Sequence, residues 1–267
     1  MRGKANGGCL CPRTAGHHPP AVIDYRNALY VGHLGPIPLY LHWTALLLVY
    51  MAWQWSGVGN DLYLLTVFVG VLAGSIVLHE LGHGLTAIAL AKHEAEKAMV
   101  IVLWAFGGVC IQQQREGHPW KEIAIVLAGP AVSLALWLGC MGTWAYLRQH
   151  HPEIVIKDLN DQVLYLQSLT IVGVLLVLGQ TMNLALLVFN MLPIYPFDGG
   201  QAVHNGLKLM MKDYDLARKI SFTISLLAAA AYVSWRFSLE QQLDFFLIGL
   251  IGFMLYNGYI ALFVYRR

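Results

Sequence analysis

The sequence predicts an all-α membrane protein of about six transmembrane helices, with a short membrane-associated β-hairpin or sheet. Three observations carry this expectation. The 267 residues are 57% hydrophobic and only 12% charged, outside the range of ordinary soluble domains. Apolar stretches long enough to cross about 30 Å of hydrocarbon recur six times, near 40–57, 62–91, 122–147, 168–192, 217–236 and 243–265. All seventeen Lys and Arg fall at the edges of these stretches or between them, and of fifteen carboxylates only Glu80 lies well inside one.

Residues 1–38 read as a cytoplasmic tail and surface hairpin, and 39–267 as one polytopic membrane domain without internal repeats. The tract "CLCPRTAGHH" reads as a short disordered tail rather than a metal site. No apolar core followed by a small-residue cleavage site precedes "GHHPP", so no removable signal peptide is expected. Cys9, Cys11, Cys110 and Cys140 offer no disulfide framework. Residues 28–42 break at Gly35 and Pro36 between two apolar-rich runs and predict a hairpin against the membrane before the first span. In the second span Gly70 and Gly74 form a G-x-x-x-G, expected to let a neighbouring helix approach. Residues 99–114, "MVIVLWAFGGVCIQQQ", are β-branched around a Gly-Gly turn and too short to span twice. They predict either a plain membrane-surface loop or a hairpin dipping from the cytoplasmic side toward the chemistry-bearing residues, with an edge strand able to pair with an extended peptide. Gly129 and Pro130 mark a kink in the third span. Gln180, Asn183 and Asn190 lie close to one face of the fourth, as a water-facing stripe or as glue between helices.

The basic residues set the orientation. The N-terminus, the second and fourth loops and the C-terminal tail hold four, four, four and two of them, including Lys92, Lys97, Arg115, Lys121, Lys208, Lys212, Arg218 and Lys219. The other three loops hold none, two and one. By the positive-inside rule both termini are expected in the cytoplasm, with the chain in the cell membrane. A net charge of only +2 gives no reason to expect a nucleic-acid partner.

The chemistry-bearing stretch is "SIVLHELGHGLTAIAL", residues 75–90. On a helix His79 and His83 share a face four residues apart, where two imidazoles can hold one Zn²⁺, and Glu80 between them can take a proton from water on the metal. A carboxylate near mid-bilayer without such a task would cost at least about 2.5 kcal/mol. A catalytic zinc usually takes three protein ligands. Position 89, where an extended metzincin pattern needs a histidine, is Ala89. Glu94 and Glu96 follow too closely along the same helix, and Glu153, Asp158 and Asp161 belong to an outer loop. His83 lies about 14 Å short of Lys92, at the inner end of the second span. The third ligand should therefore come from the cytoplasmic side. There the fourth span ends in "FNMLPIYPFDGG", whose prolines break the helix ahead of Asp198; Glu122, at the inner start of the third span, is the weaker alternative. Zn²⁺ with neutral histidines, Asp198 and ionised Glu80 sums to zero charge, as a low-dielectric site requires.

The motifs "HELGH" at 79–83, "FGGV" at 106–109, "EIAIVLAGPAVSLAL" at 122–136 and "NMLPIYPFDGG" at 190–200 occur together and in order. In them the sequence resembles the site-2 protease family of intramembrane zinc metalloproteases. The likeness runs over about residues 36–206 and is weaker in the last two spans. It implies zinc held by His79, His83 and Asp198, with Glu80 as general acid and base, and hydrolysis of a peptide bond in or near the transmembrane segment of a membrane-protein substrate. It also implies that Asn190 holds substrate or stabilises the oxyanion, although a polar residue at a helix end near Pro193 can equally cap freed carbonyls. The rival readings are a membrane zinc carrier or sensor and a membrane-anchored peptidase acting on soluble peptides. A carrier should place further ligands on other spans, which offer few beyond His42, Cys140 and Asn257.

Overall fold

The structure, a computed structural model, describes residues 27–55, 61–92, 99–105, 107–112, 118–157, 168–240 and 245–264. Cys9, Cys11 and the "CLCPRTAGHH" tract lie outside the described residues, as do Glu94, Glu96, Asp158 and Asp161. The chain opens with strands β1 (Leu29–Leu34) and β2 (Ile37–Leu41), then helices α1 (Ala45–Trp55) and α2 (Leu62–Leu90). Strands β3 (Met99–Trp104) and β4 (Gly107–Gln112) follow. The remainder is helical: α3 (Pro119–His150), α4 (Pro152–Val155), α5 (Ile171–Asn190), α6 (Asp198–Met210), α7 (Tyr214–Glu240) and α8 (Phe245–Tyr259), which ends in a π-helical turn, Ile260–Val264.

Four helices among the described residues are long and apolar enough to cross a membrane: Leu62–Leu90, Pro119–His150, Ile171–Asn190 and Tyr214–Ser238. These are the second to fifth expected spans, to within a few residues. The outer two of the six are helical in part among the described residues. Where the sequence predicts a first span at 40–57, strand β2 runs to Leu41 and α1 covers 11 residues among those described, about 16 Å of helix. The stretch predicted at 243–265 is helical through its described residues, Phe245–Tyr259 and then Ile260–Val264, with an apolar part at Ile248–Val264. Hydropathy registers apolar length without regard to conformation, so Tyr40 and Leu41 at the end of β2 read as the start of the span.

Both expected hairpins form, and they join. The sheet has the order β1-β2-β3-β4, with antiparallel outer pairs and β2 parallel to β3 in the register Leu39 to Ile101. β2 therefore crosses the expected boundary at residue 38. Gly35, at φ 60°, and Gly107, at φ 119°, sit in the two hairpin turns, a backbone region that favours glycine. The central strand β3 is buried on both faces. Met99 and Ile101 pack with Ile37, Ala87 and Ile125 of the neighbouring strand and helices, while Val100 and Val102 pack with Tyr40, Val109 and Ile111. That two-sided burial explains its unbroken apolar run, MVIVLW.

Helix α3 is the hub and packs on α2, α5 and α6. It meets the α2 backbone closely at Gly82, where a Cβ would lie 2.8 Å from the Ala128 carbonyl oxygen and 2.9 Å from a Val132 methyl. The expected G-x-x-x-G makes no close approach among the described residues, where a Cβ at Gly70 or Gly74 would meet nothing within 4 Å. At the opposite end from the sheet, Leu64, Val155, Ile156, Leu169, Val174 and Leu178 form a separate apolar cluster. Asp61 caps α2 there by accepting from the N–H groups of Tyr63 and Leu64, and Thr170 caps α5 through Gly173.

Gly82→Ala should lower the melting temperature in detergent, by the roughly 1–3 kcal/mol of an overpacked contact. Gly74→Ala should leave it unchanged or slightly higher, since alanine is the better helix former. Equal effects of the two substitutions would refute the assignment of the close approach to Gly82.

Candidate active site

Helix α2 brings His79 and His83 to one face a turn apart, and both are buried, at 2% and 8% exposure. Their Nε2 atoms stand 3.2 Å apart. The Asp198 Oδ2 atom closes the triangle, 3.1 Å from Nε2 of His79 and 3.4 Å from Nε2 of His83. The Glu80 carboxylate lies close by: ligand atoms of His79, Glu80 and His83 all fall within 4.8 Å of one another.

Asp198 reaches this place because α5 stops at Asn190 and α6 starts at Asp198, a helix absent from the sequence expectations. At the first position of α6 its carboxylate sits at the positive end of the helix dipole. The two glycines that follow let α6 begin against the preceding loop. A Cβ on Gly199 would be 2.7 Å from the Leu192 carbonyl oxygen, and one on Gly200 would be 2.6 Å from that of Ile194. That loop is tied to α7, where the Tyr195 N–H donates to Ser225 Oγ at 2.9 Å. His204, further along α6, is 2.9 Å from Ser221 Oγ through Nδ1. Burial, with Lys208 and Arg218 nearby, brings its pKa down to about 4, so it adds no charge beside Asp198 at neutral pH.

Second partners fix the two imidazoles. Nδ1 of His83 donates to the Ile125 carbonyl at 2.7 Å, which leaves Nε2 with its lone pair in the neutral ring. Nδ1 of His79 lies 2.9 Å from Ser133 Oγ. Gly129 provides the clearance between them: a Cβ there would collide with the His83 ring and lie 2.7 Å from Nε2 of His79. Glu80 is held from the sheet side. The Cys110 N–H of β4 donates to its carboxylate, and a Cβ on Gly108 would be 2.5 Å from its Cγ.

These donors suit zinc. Two neutral imidazole nitrogens and one carboxylate oxygen are a common catalytic donor set, and donors about 2.1 Å from a tetrahedral ion stand roughly 3.4 Å apart. The observed separations of 3.1–3.4 Å are close to that. Buried lone pairs so near a carboxylate oxygen repel one another unless a cation or proton lies between them. The site opens on a cavity of about 280 Å³ walled by β4, the end of α5, the start of α6 and α8.

Of the expected site residues the structure brings together His79, Glu80, His83 and Asp198. Asn190 also lines the cavity, and its Nδ2 donates to the Leu186 carbonyl one turn back in α5 at 3.0 Å. Glu122 is buried but not part of the cavity wall. The expected polar stripe divides. Asn183 donates to Ser75 Oγ and to the Gly179 carbonyl and so joins α5 to α2, while Asn190 faces the cavity. Sequence reading missed Ser133, the Ile125 carbonyl and the clearances at Gly108 and Gly129. It also missed Phe253, Met254 and Asn257, which α8 adds to the wall. A serine and a glycine four residues apart in an apolar run were the visible signal for α3; a backbone carbonyl leaves none.

Residues 67–232 match peptidase family M50. The chain is 32% identical to a putative zinc metalloprotease of Synechocystis, sll0528, over 188 residues, 66% of this chain and 43% of that protein. It is 28% identical to the zinc metalloprotease MJ0392 of Methanocaldococcus jannaschii, over 83% of this chain and 56% of that one. The chain thus spans about half the length of the curated relatives it matches. Its fold is that of the solved site-2 protease from Methanocaldococcus jannaschii, with a TM-score of 0.56 at 22% identity, covering 90% of this chain and 97% of that one. Its long apolar helices are those of an integral membrane protein, and by sequence the chain belongs to peptidase family M50.

Proposed function

We propose that the chain is an intramembrane zinc endopeptidase that hydrolyses a peptide bond in or near the transmembrane segment of another membrane protein. His79, His83 and Asp198 would hold the metal, and Glu80 would move the proton. The observation that carries this reading is the meeting of two Nε2 atoms and one carboxylate oxygen beside a second carboxylate, at the wall of a cavity. Zinc bound there supplies a Lewis acid for the scissile carbonyl and lowers the pKa of a bound water toward about 7.

The remaining steps belong to the chain. Glu80 accepts the proton of the attacking water and returns it to the leaving nitrogen. The Cys110 N–H orients its carboxylate, and Gly108 leaves it room. Asn190 has given one amide hydrogen to Leu186; the other is available for a substrate carbonyl. Strand β4 pairs with β3 on one side and borders the cavity on the other, so an extended substrate strand added there would run past Glu80. The distribution of basic residues supports cytoplasmic termini.

Three measurements test the reading. Glu80→Gln should retain zinc at parent stoichiometry and lose cleavage, because Glu80 transfers protons and does not ligate the metal. Loss of zinc together with activity would overturn that role. Asp198→Ala should lower zinc occupancy, whereas Glu122→Ala should keep it; equal zinc in Asp198→Ala and the parent would remove Asp198 from the ligand set.

The substrate span should need to unwind. A helix ties its carbonyls into hydrogen bonds and wraps them in side chains, so a water cannot attack until a few residues become extended. In hydrocarbon each freed group costs several kcal/mol unless water or a strand such as β4 receives it. Gly, Asn or Pro near the inner end of a reporter span should therefore speed cleavage, and Leu replacements should slow it, at matched expression. Equal rates would refute the requirement, and cleavage of soluble peptides alone would move the assignment to a surface peptidase.

A further inference from the structure

Three residues of α3 spaced by four serve the two histidines of α2. The Ile125 carbonyl receives the His83 Nδ1–H at 2.7 Å. Gly129, one turn on, presents no Cβ where both Nε2 atoms need the space. Ser133, a further turn on and fully buried at 0% exposure, meets His79 Nδ1 at 2.9 Å. Residues four apart lie on one helix face, so a single stripe of α3 contacts both rings and orients each through the nitrogen that points away from Asp198. The same pairing of a buried serine with a histidine Nδ1 on another helix occurs at Ser221 of α7 and His204 of α6, at 2.9 Å; Ser133 differs in that its histidine carries the Nε2 that meets Asp198.

We infer that Ser133 is a positioning residue for the metal site: its hydroxyl accepts the proton of His79 Nδ1, which leaves the lone pair on Nε2 and aims it at the point shared with His83 and Asp198. This rests on the assignment of His79 as a metal ligand. An imidazole has two neutral tautomers, and only the one with Nδ1–H presents Nε2 to an ion. In an apolar interior a ring without an Nδ1 partner rotates and redistributes its proton; a hydroxyl at a fixed distance removes both freedoms. Outer partners of this kind are worth about 10- to 100-fold in metal affinity in other sites.

The experiment compares the parent with Ser133→Ala, Ser133→Thr and Ser133→Val in detergent, with His79→Ala as the reference for loss of the site. Two quantities are read: the zinc dissociation constant, by competition with a chelator, and the melting temperature of the zinc-free protein. Ser133→Ala and Ser133→Val should weaken zinc binding by about 10- to 100-fold. Ser133→Thr, which matches valine in volume and keeps the hydroxyl, should bind close to the parent. If threonine or valine prevents folding, the comparison of Ser133→Ala with the parent decides alone. A serine that merely fills space would lower the zinc-free melting temperature of Ser133→Ala and leave the zinc dissociation constant unchanged. That outcome, or parent-like zinc binding by Ser133→Ala at any stability, overturns the inference while the ligand assignment stands. Parent-like zinc binding by His79→Ala would overturn the ligand assignment itself, and this inference with it.

Discussion

Everything in this fold answers to the cost of bringing two imidazole lone pairs and two carboxylates to one point inside an apolar bundle. Each of these groups is at most 8% exposed. An isolated carboxylate in such surroundings costs several kcal/mol or takes up a proton, so the four can coexist as a set only if their charges cancel. With zinc on the proposed ligands the sum is zero, and an ion is then as much a requirement of the interior as an instrument of catalysis. The architecture follows from that. Polar groups inside a membrane have to be delivered from secondary structure that is already satisfied. The site is accordingly assembled from the middle of α2, the first residue of α6 and the edge strand β4, rather than from loops.

Helix α3 makes this assembly rigid. It contributes no ligand on the proposed assignment, yet it touches both imidazoles and packs on α2, α5 and α6. Its sequence shows the demands made of it. Gly129 is fixed by the rings it must avoid, and Pro130 beside it lacks the N–H that would bond the Val126 carbonyl, which loosens the helix ladder at the level of the site. A side chain on Gly82 of α2 would strike the same stretch of α3 from the other side. Contacts at 82, 129 and 133 thus work together: the helices must approach closely for the Ile125 carbonyl and the Ser133 hydroxyl to reach the rings. Widening the gap would release both histidines at once.

Much of this was legible in the chain itself. The ionisable groups were conspicuous because the spans around them carry almost no charge, and "HELGH" has one sensible geometry on a helix. Asp198 could be reached by topology, since few carboxylates lie at the inner end of a span. Conformation within apolar stretches was harder to read. The expected first span began inside β2, because Tyr40 and Leu41 are as apolar as the helix behind them. Gly70 and Gly74 matched a packing pattern that no described neighbour uses, while Gly82, inside the metal motif, supplies the close contact. Helix α6 escaped because "FDGG" reads as a turn. Only the surrounding fold, with Met191–Tyr195 folded beneath the glycines, makes it a helix start. The Ile125 carbonyl could not be foreseen, because a backbone acceptor has no signature in the side-chain code.

The sheet raises a question of its own, since an edge strand is ordinarily a liability that proteins cover or charge. Here β4 carries two glycines, Gly107 and Gly108, and borders the cavity. Its Cys110 N–H points away from β3 to the Glu80 carboxylate. Backbone groups two residues apart point the same way along a strand, so Gly108 and Gln112 direct theirs to that side as well. The strand therefore aligns its outward hydrogen-bonding groups with the carboxylate proposed to move the proton. A peptide paired along this edge would be held extended, the state an attacking water requires, and its carbonyls would pass Glu80 at the two-residue repeat of a ladder. Glycine at 108 is demanded twice by this arrangement: a Cβ would press on Glu80 Cγ, and a side chain there would crowd the backbone that a pairing strand has to approach. On the proposed function, the substrate is the strand that adds to this edge beside Glu80.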